Sequence, residues 1–173
     1  MYFWETLGSM IETIEFKNEW YPKFQGEGNA SQFAIPFAQH VCKGYGYDIG
    51  CMKKEWAFPN SVPIDIDFDD PWNADNLPPN VSPDYIFSSH CLEHVPNWIA
   101  TMDYWYDKLR KGGVIFLYLP DFSQVYWRPW HNYKHKHVFT PEIIESYMFD
   151  RGYKNLFVSG VDLNNSFMVM GEK

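Results

Sequence analysis

The sequence predicts a single α/β domain. Its mostly parallel sheet is expected to lie between helices on both faces, three layers in all, and to end in a C-terminal antiparallel hairpin. Three observations predict this. Short apolar segments alternate with a helix-like pattern through the middle of the chain. The segment "GVIFLYLP" (113–120) is almost continuously apolar, as expected of a strand covered on both sides. Two strand-like runs, "YKNLFVSGV" and "NSFMVMGE", close the chain across the tight connection "DLNN". At 173 residues the chain is long enough for one sizeable core and short for two domains with a linker.

Taken in order, residues 1–30 are weakly patterned up to "GEGN" and read as an accessory arm. "SQFAIPFAQHV" (31–41) carries an apolar helical face that Pro36 should kink or start. Four strand-length segments follow: "GYGYDIG" (44–50), "VPIDID" (62–67), "DYIFSS" (84–89) and "GVIFLYLP". Between the last two lies the clearest helix. Pro96 suits its first turn, Ile99, Met102, Tyr106 and Leu109 form one stripe, and Gly112–Gly113 end it after two basic residues. A further helix has Thr140 as N-cap, Pro141 at its first position and Glu142 in its first turn. Its inward residues are expected to be Ile143, Ile144, Tyr147 and Met148, with Gly152 as its end.

Composition excludes several classes of function. The net charge is −8, and the acidic residues are spread along the chain, so nothing draws the whole molecule to nucleic acid or to anionic lipid. One basic island stands out: Arg128, Lys134, His135, Lys136 and His137. Three cysteines without repeating spacing argue against a disulfide framework and for a reducing, cytoplasmic setting. No signal peptide or membrane-spanning run is recognised. Aromatic residues make up 20% of the chain, more than the core needs, so some are expected to line a pocket or a contact with a second copy, a homodimer.

In open α/β sheets the ligand lies outside the carboxyl ends of the strands. Here those ends read "YDIGCM", "IDID", "SSH" and "LPD", so acidic, small and imidazole-bearing residues converge on one edge. Asp65 follows Asp48 by 17 residues, close to the offset of about 20 at which nucleotide-binding sheets place a carboxylate on ribose hydroxyls. The plain alternative is that Asp65, Asp67, Asp69 and Asp70 form a solvated acidic turn.

The order of these motifs resembles the class I S-adenosylmethionine-dependent methyltransferases, particularly the small type-11-like group, over about residues 44–160. The resemblance rests on "YDIGC", "PIDID", "NADNLP", "PDYIFSSHCLEHV", "LRKGGVIFLYLPD" and "KHVFTPEIIESYMFDRGY". It implies a Rossmann-like sandwich with a methyltransferase-like core over 44–173, S-adenosyl-L-methionine as cofactor, and a small-molecule or saccharide acceptor. It also implies roles for individual residues. Asp48, Gly50 and Cys51 would form the cofactor loop, with Gly50 letting the backbone approach the methionine part. Asp65 would hold the ribose, Ile66 would pack on adenine, Asn73 and Ala74 would meet its polar edge, and Ser89 and His90 would lie beside the methyl group. The sequence departs from the family at Met52 and Lys54, where two further glycines are usual, and in the short stretch between Cys51 and Val62.

Methyl transfer asks mainly for alignment and exclusion of water. If the acceptor must lose a proton, His90 is the first candidate base and Asp121 the second; a structural His90 capping the corner is an equal reading. The acceptor is expected at "SQVYWRPWHNYKHKH" (123–137). Tyr126, Trp127 and Trp130 would give a platform, Arg128 and Lys136 would meet a carboxylate or phosphate, and His131 belongs to the same substrate-binding set, unless these aromatics pack as a lid or a dimer contact.

His90-x-x-Glu93-His94 also has the spelling of an inverted zinc-protease motif. Such sites place both His and the Glu within one helix, whereas "DYIFSS" is a strand running straight into His90. No third ligand is evident in the sequence, so the string reads as a strand-to-helix corner without metal. His131, His135 and His137 likewise match no metal spacing and read as a basic loop. Two other functions compete: a degenerate methyltransferase fold acting as a scaffold, and a dinucleotide-dependent oxidoreductase, for which the G-x-G-x-x-G turn is missing.

Overall fold

The structure, a computed structural model, describes residues 12–23 and 29–173. Most of the accessory arm, including the glycines of "GEGN", lies outside the described residues. What is described of the arm is a hairpin of β1 (Thr13–Phe16) and β2 (Glu19–Pro22). Then come α1 (Ser31–Val41), β3 (Gly46–Ile49), β4 (Val62–Ile64), β5 (Tyr85–Ser89), α2 (Trp98–Lys108), β6 (Val114–Pro120), α3 (Pro141–Arg151), β7 (Lys154–Val158) and β8 (Ser166–Glu172).

The main sheet has the order β4-β3-β5-β6-β8-β7. β4, β3, β5 and β6 pair in parallel, and β8 runs antiparallel between β6 and β7, which is the expected mostly parallel sheet with its terminal hairpin. The chain leaves β3 toward β4 on one side and returns to β5 on the other. This reversal of direction opens a crevice at the strands' carboxyl ends.

Strand alternation divides the core in two. Ile86 of β5 and Ile115, Leu117 and Leu119 of β6 face α2 and α3, meeting Met102, Trp105, Ile144 and Met148. Tyr85 and Phe87 of β5 and Phe116 and Tyr118 of β6 face α1, where Ala34 and Ala38 allow the helix close approach and Phe58 fills the remaining space. Pro36 sits inside α1 without ending it, on the exposed face, where the hydrogen bond it forgoes faces water.

Several expected details are corrected. α2 starts at Trp98, not at Pro96: Asn97 is its N-cap and accepts from the Ala100 N–H at 3.2 Å. Its buried face is Thr101, Met102 and Trp105, while Ile99 is 48% exposed. The face turns because Thr101 satisfies its hydroxyl internally, on Asp75 and on the Asn97 carbonyl. In α3, Thr140 caps the Ile143 N–H and Gly152 ends the helix in the left-handed region at φ 98°, but Ile143 points outward. β4 stops at Ile64, so Asp65 and Asp67 lie in the turn beyond the strand. Between β3 and β4 there is only a short 3-10 turn, Lys54–Trp56, in place of a covering helix. β4 carries Pro63, and β7 is irregular between Lys154 and Phe157. No helix among the described residues is long and apolar enough to cross a membrane.

Candidate active site

The carboxyl ends of β3, β4 and β5 bring Gly50, Asp65 and Ser89 to one edge of the sheet. Gly50 continues the pairing by donating its N–H to the Ile64 carbonyl at 2.8 Å, which sets the start of the loop after β3 beside Asp65. Its φ of 84° favours glycine, and a Cβ there would overlap the Cys91 side chain. The absent side chain thus makes room for the β5–α2 corner, a reason the sequence did not disclose.

Met52 adopts φ 60° without being glycine, so the loop keeps a left-handed turn with a bulky residue in it. That turn aims the Met52 N–H at Asp65 Oδ2, 2.6 Å away, while the Asp67 N–H donates to Oδ1 at 3.0 Å. Each carboxylate oxygen retains a second lone pair for a ligand. Next to it, Ile66 stands 81% exposed. Asp48 is different. It is 1% exposed, and its Oδ2 accepts the Phe58 N–H at 2.7 Å, so it braces the loop from beneath. Burial pushes its carboxyl up to about 7, opposed by the Phe58 N–H and reinforced by the charge of Asp65. Burial, with Asp48 and Asp65 nearby, likewise pushes the Cys51 thiol up to about 12.

Asn73 and Ala74 belong to a tight turn pinned to α2. Asn73 exchanges backbone hydrogen bonds with Asn76, and its Oδ1 accepts the Asp75 N–H. The Ala74 carbonyl accepts Trp105 Nε1–H at 2.7 Å, and Tyr104 Oη accepts the Leu77 N–H at 2.9 Å. The carbonyl of Ala74 is therefore engaged with the core.

At the tip of β5, Ser89 is 8% exposed and its hydroxyl has no hydrogen-bond partner among the described residues. His90 follows at φ 48°, with Nε2 3.0 Å from Ser166 Oγ and its ring against Tyr118. Burial, helped by His94, pushes its imidazole down to about 3, so it is a neutral and weak base. Glu93 is fully buried on the next turn, Leu92–His94, and burial pushes its carboxyl up to about 7 against the pull of His94. His135 is brought in from the basic island and is also pushed down to about 3 by burial, with His94 and His90 adding to the effect. The sequence reading set these residues apart; the fold assembles Glu93, His94 and His135.

The acceptor segment does not form one platform. Tyr126 and His131 turn toward the N-terminal hairpin, packing on Phe16 with ring centroids 5.3 and 5.1 Å away, and Tyr126 also meets Tyr21. Trp127 turns the other way and stacks on His135 at 5.0 Å and 8°. Trp130 is 63% exposed, and the Arg128 guanidinium lies over Phe122, between it and Trp130, with Nε donating to the Phe122 carbonyl. A small, shallow cleft is lined by Asp121, Gln124, Trp127, Arg128, His135 and His137. Asp121 is nearly buried, and its Oδ1 accepts the Ser123 N–H. Sequence reasoning singled out Asp121, Trp127 and Arg128 and covered Gln124, His135 and His137 only as part of the 123–137 segment, since their place depends on how that segment folds back.

A mostly parallel sheet with this strand order and terminal antiparallel hairpin, with a carboxylate just beyond its edge strand β4, is the methyltransferase type of α/β fold. The chain belongs to the family described as the methyltransferase domain, whose model matches residues 26–158. Among solved structures it is similar to an S-adenosylmethionine-dependent methyltransferase from Archaeoglobus fulgidus, with TM-score 0.65, 16% identity, and 87% of this chain and 96% of that one covered. It is also similar to a possible histamine N-methyltransferase from Thermotoga maritima, with TM-score 0.60 and 16% identity over the same shares. A third likeness is to the N-methyltransferase NodS of Bradyrhizobium japonicum in complex with S-adenosyl-L-homocysteine, with TM-score 0.58, 12% identity and 87% of each chain covered. At these identities the likeness is one of fold. No curated protein matches the chain.

Proposed function

We propose that the protein transfers a methyl group from S-adenosylmethionine to a small-molecule or saccharide acceptor. The observation that carries this reading is the meeting of Gly50, Asp65 and the orphaned Ser89 hydroxyl at one strand edge. These groups suit the cofactor: free carboxylate lone pairs for the ribose hydroxyls, the exposed face of Ile66 for adenine, and an unpaired hydroxyl toward the methionine end. When bound, the cofactor supplies an electrophilic methyl group on a sulfonium. Asp65 then fixes the sugar, the Met52 turn closes the loop, and Trp127 limits access of water from the acceptor side.

Asp121 lies in the cleft and is the base for an acceptor that must lose a proton. His90, held by Ser166, positions the corner. The acceptor enters the cleft between Trp127 and Arg128, whose stacked ring and guanidinium suit a sugar or a ring bearing an anionic group.

The scaffold reading draws on one observation: Asp65 already accepts two of the chain's own N–H groups. Calorimetry with S-adenosylhomocysteine separates the two. Saturable one-to-one binding that weakens in Asp65→Ala supports the transferase, and no heat at millimolar ligand supports the scaffold.

A further inference from the structure

We infer that Glu93, His94 and His135 bind a divalent zinc ion. The buried end of β5 is where the chain leaves a charge unanswered. Glu93 is fully buried, and neither of its carboxylate oxygens has a hydrogen-bond partner among the described residues. Such a group needs either a proton or a cation.

Two imidazoles, those of His90 and His94, face this carboxylate. His94 Nδ1 lies 3.0 Å from the Lys134 carbonyl, an acceptor, so Nδ1 carries a hydrogen, and in the neutral ring Nε2 is the nitrogen open to a metal, 3.8 Å from Glu93 Oε1. A ring nitrogen bonded to a backbone carbonyl while the other faces a carboxylate is the outer-shell arrangement of metal-binding histidines. At His90, Nε2 is 3.0 Å from Ser166 Oγ, whose own hydrogen goes to the Asn164 carbonyl. Its Nδ1 therefore also presents a lone pair, 3.7 Å from Glu93 Oε1.

His135 completes the set. It is 4% exposed, edge-on to His94 with ring centroids 4.6 Å apart, and one ligand atom each from Glu93, His94 and His135 lies within 4.8 Å of the others. A tetrahedral zinc site needs ligand atoms about 3.3–3.5 Å apart, given zinc–nitrogen and zinc–oxygen distances near 2.1 Å. Small side-chain rotations close the difference. The backbone is already in place, because the Glu93 carbonyl accepts the N–H groups of Lys136 and His137 and so fixes the basic segment against the turn. Two imidazoles and a carboxylate suit zinc, which outranks iron and manganese at such a donor set and leaves a fourth position for water or a substrate oxygen. His94, with 40% of its side chain exposed, gives the ion a way in. The site does not depend on methyl transfer.

The test uses the full chain, stripped with a chelator and titrated calorimetrically with zinc chloride. Expected are one ion per chain, a melting temperature that rises with zinc, and a cobalt(II) spectrum with nitrogen–oxygen coordination and no thiolate band. Glu93→Gln and His135→Gln should each weaken binding by at least the roughly 10–100-fold seen when an outer-shell partner is lost. Circular dichroism checks that both variants remain folded. His40→Ala, on the exposed side of α1, should bind as the unmodified chain does. Unsaturable binding, an affinity in both ligand variants equal to that of the unmodified chain, or thiolate coordination overturns the proposal. A Glu93→Gln chain as stable as the unmodified chain, with zinc without effect on either, identifies a protonated Glu93 instead.

Discussion

Met52 donates its backbone N–H to Asp65 across 2.6 Å, and it does so from a left-handed conformation that a side chain disfavours. Strain of about 1–2 kcal/mol for a non-glycine residue is held in the loop after β3, which meets the Asp65 carboxylate. Met52→Gly should relieve it. Added freedom of the unfolded chain offsets about 0.5–1 kcal/mol, and the half-exposed side chain gives up little packing. A modest upward shift of the urea midpoint is expected, with unchanged slope.

Asp65→Asn keeps one oxygen to accept an N–H and removes the charge. Affinity for S-adenosylhomocysteine should fall, by less than in Asp65→Ala, for which about 1–3 kcal/mol is expected. Calorimetry on both variants, beside a denaturation curve for each, separates lost ligand contacts from a loosened loop.

Asp48 makes stability depend on pH. Its folded carboxyl lies near 7, above an unfolded value of about 3.9, so its contribution is fully present below the unfolded value and is lost as pH rises through 7. Three units correspond to roughly 4 kcal/mol as an upper figure. Asp48→Asn preserves the acceptor for the Phe58 N–H and should flatten the fall in melting temperature between these two pH values. An equally steep fall in the variant would mean that the carboxylate is ionised when buried at little cost.

Trp105 is fully buried and ties the turn at Ala74 to α2. Trp105→Phe leaves that carbonyl without its partner and a space beside Met102, which should destabilise the fold by about 1–3 kcal/mol. Hydrogen exchange at residues 73–77 should rise more than in β6.

Burial pushes the thiols of Cys42 and Cys51 up to about 12 and raises that of Cys91 as well. Thiolate is the reactive form. Alkylation in mildly alkaline buffer should therefore be slow in the native protein and rapid in urea. Prompt labelling of one cysteine would place it in a loop that opens.

What was legible in the sequence was what local chemistry decides. β5 and β6 announce themselves because both faces are covered, and Thr140-Pro141 with Gly152 mark the ends of α3 because capping is a local matter. Of the expected stripe on α2, Met102 and Leu109 are buried and Ile99 is not; Thr101, polar in the sequence, goes inward in its place on the strength of a partner, Asp75, 26 residues away. Asp65 could be named from strand order alone, yet its two backbone donors depend on the φ of Met52. The grouping around Glu93 was illegible for the same reason. His90, Glu93 and His94 are near in sequence, but His135 arrives only when the segment after β6 folds back.

The short strand β4 bears on how copies of this protein can meet. The Ile64 carbonyl faces β3, so by alternation the nitrogen of Pro63 faces the open side, where the ring leaves no hydrogen to offer. At the opposite margin, β7 is interrupted between Lys154 and Phe157. Both borders of the sheet thus resist the addition of a foreign strand, which guards against fibrous stacking and leaves flat-on contact between surfaces as the route to any stable pair.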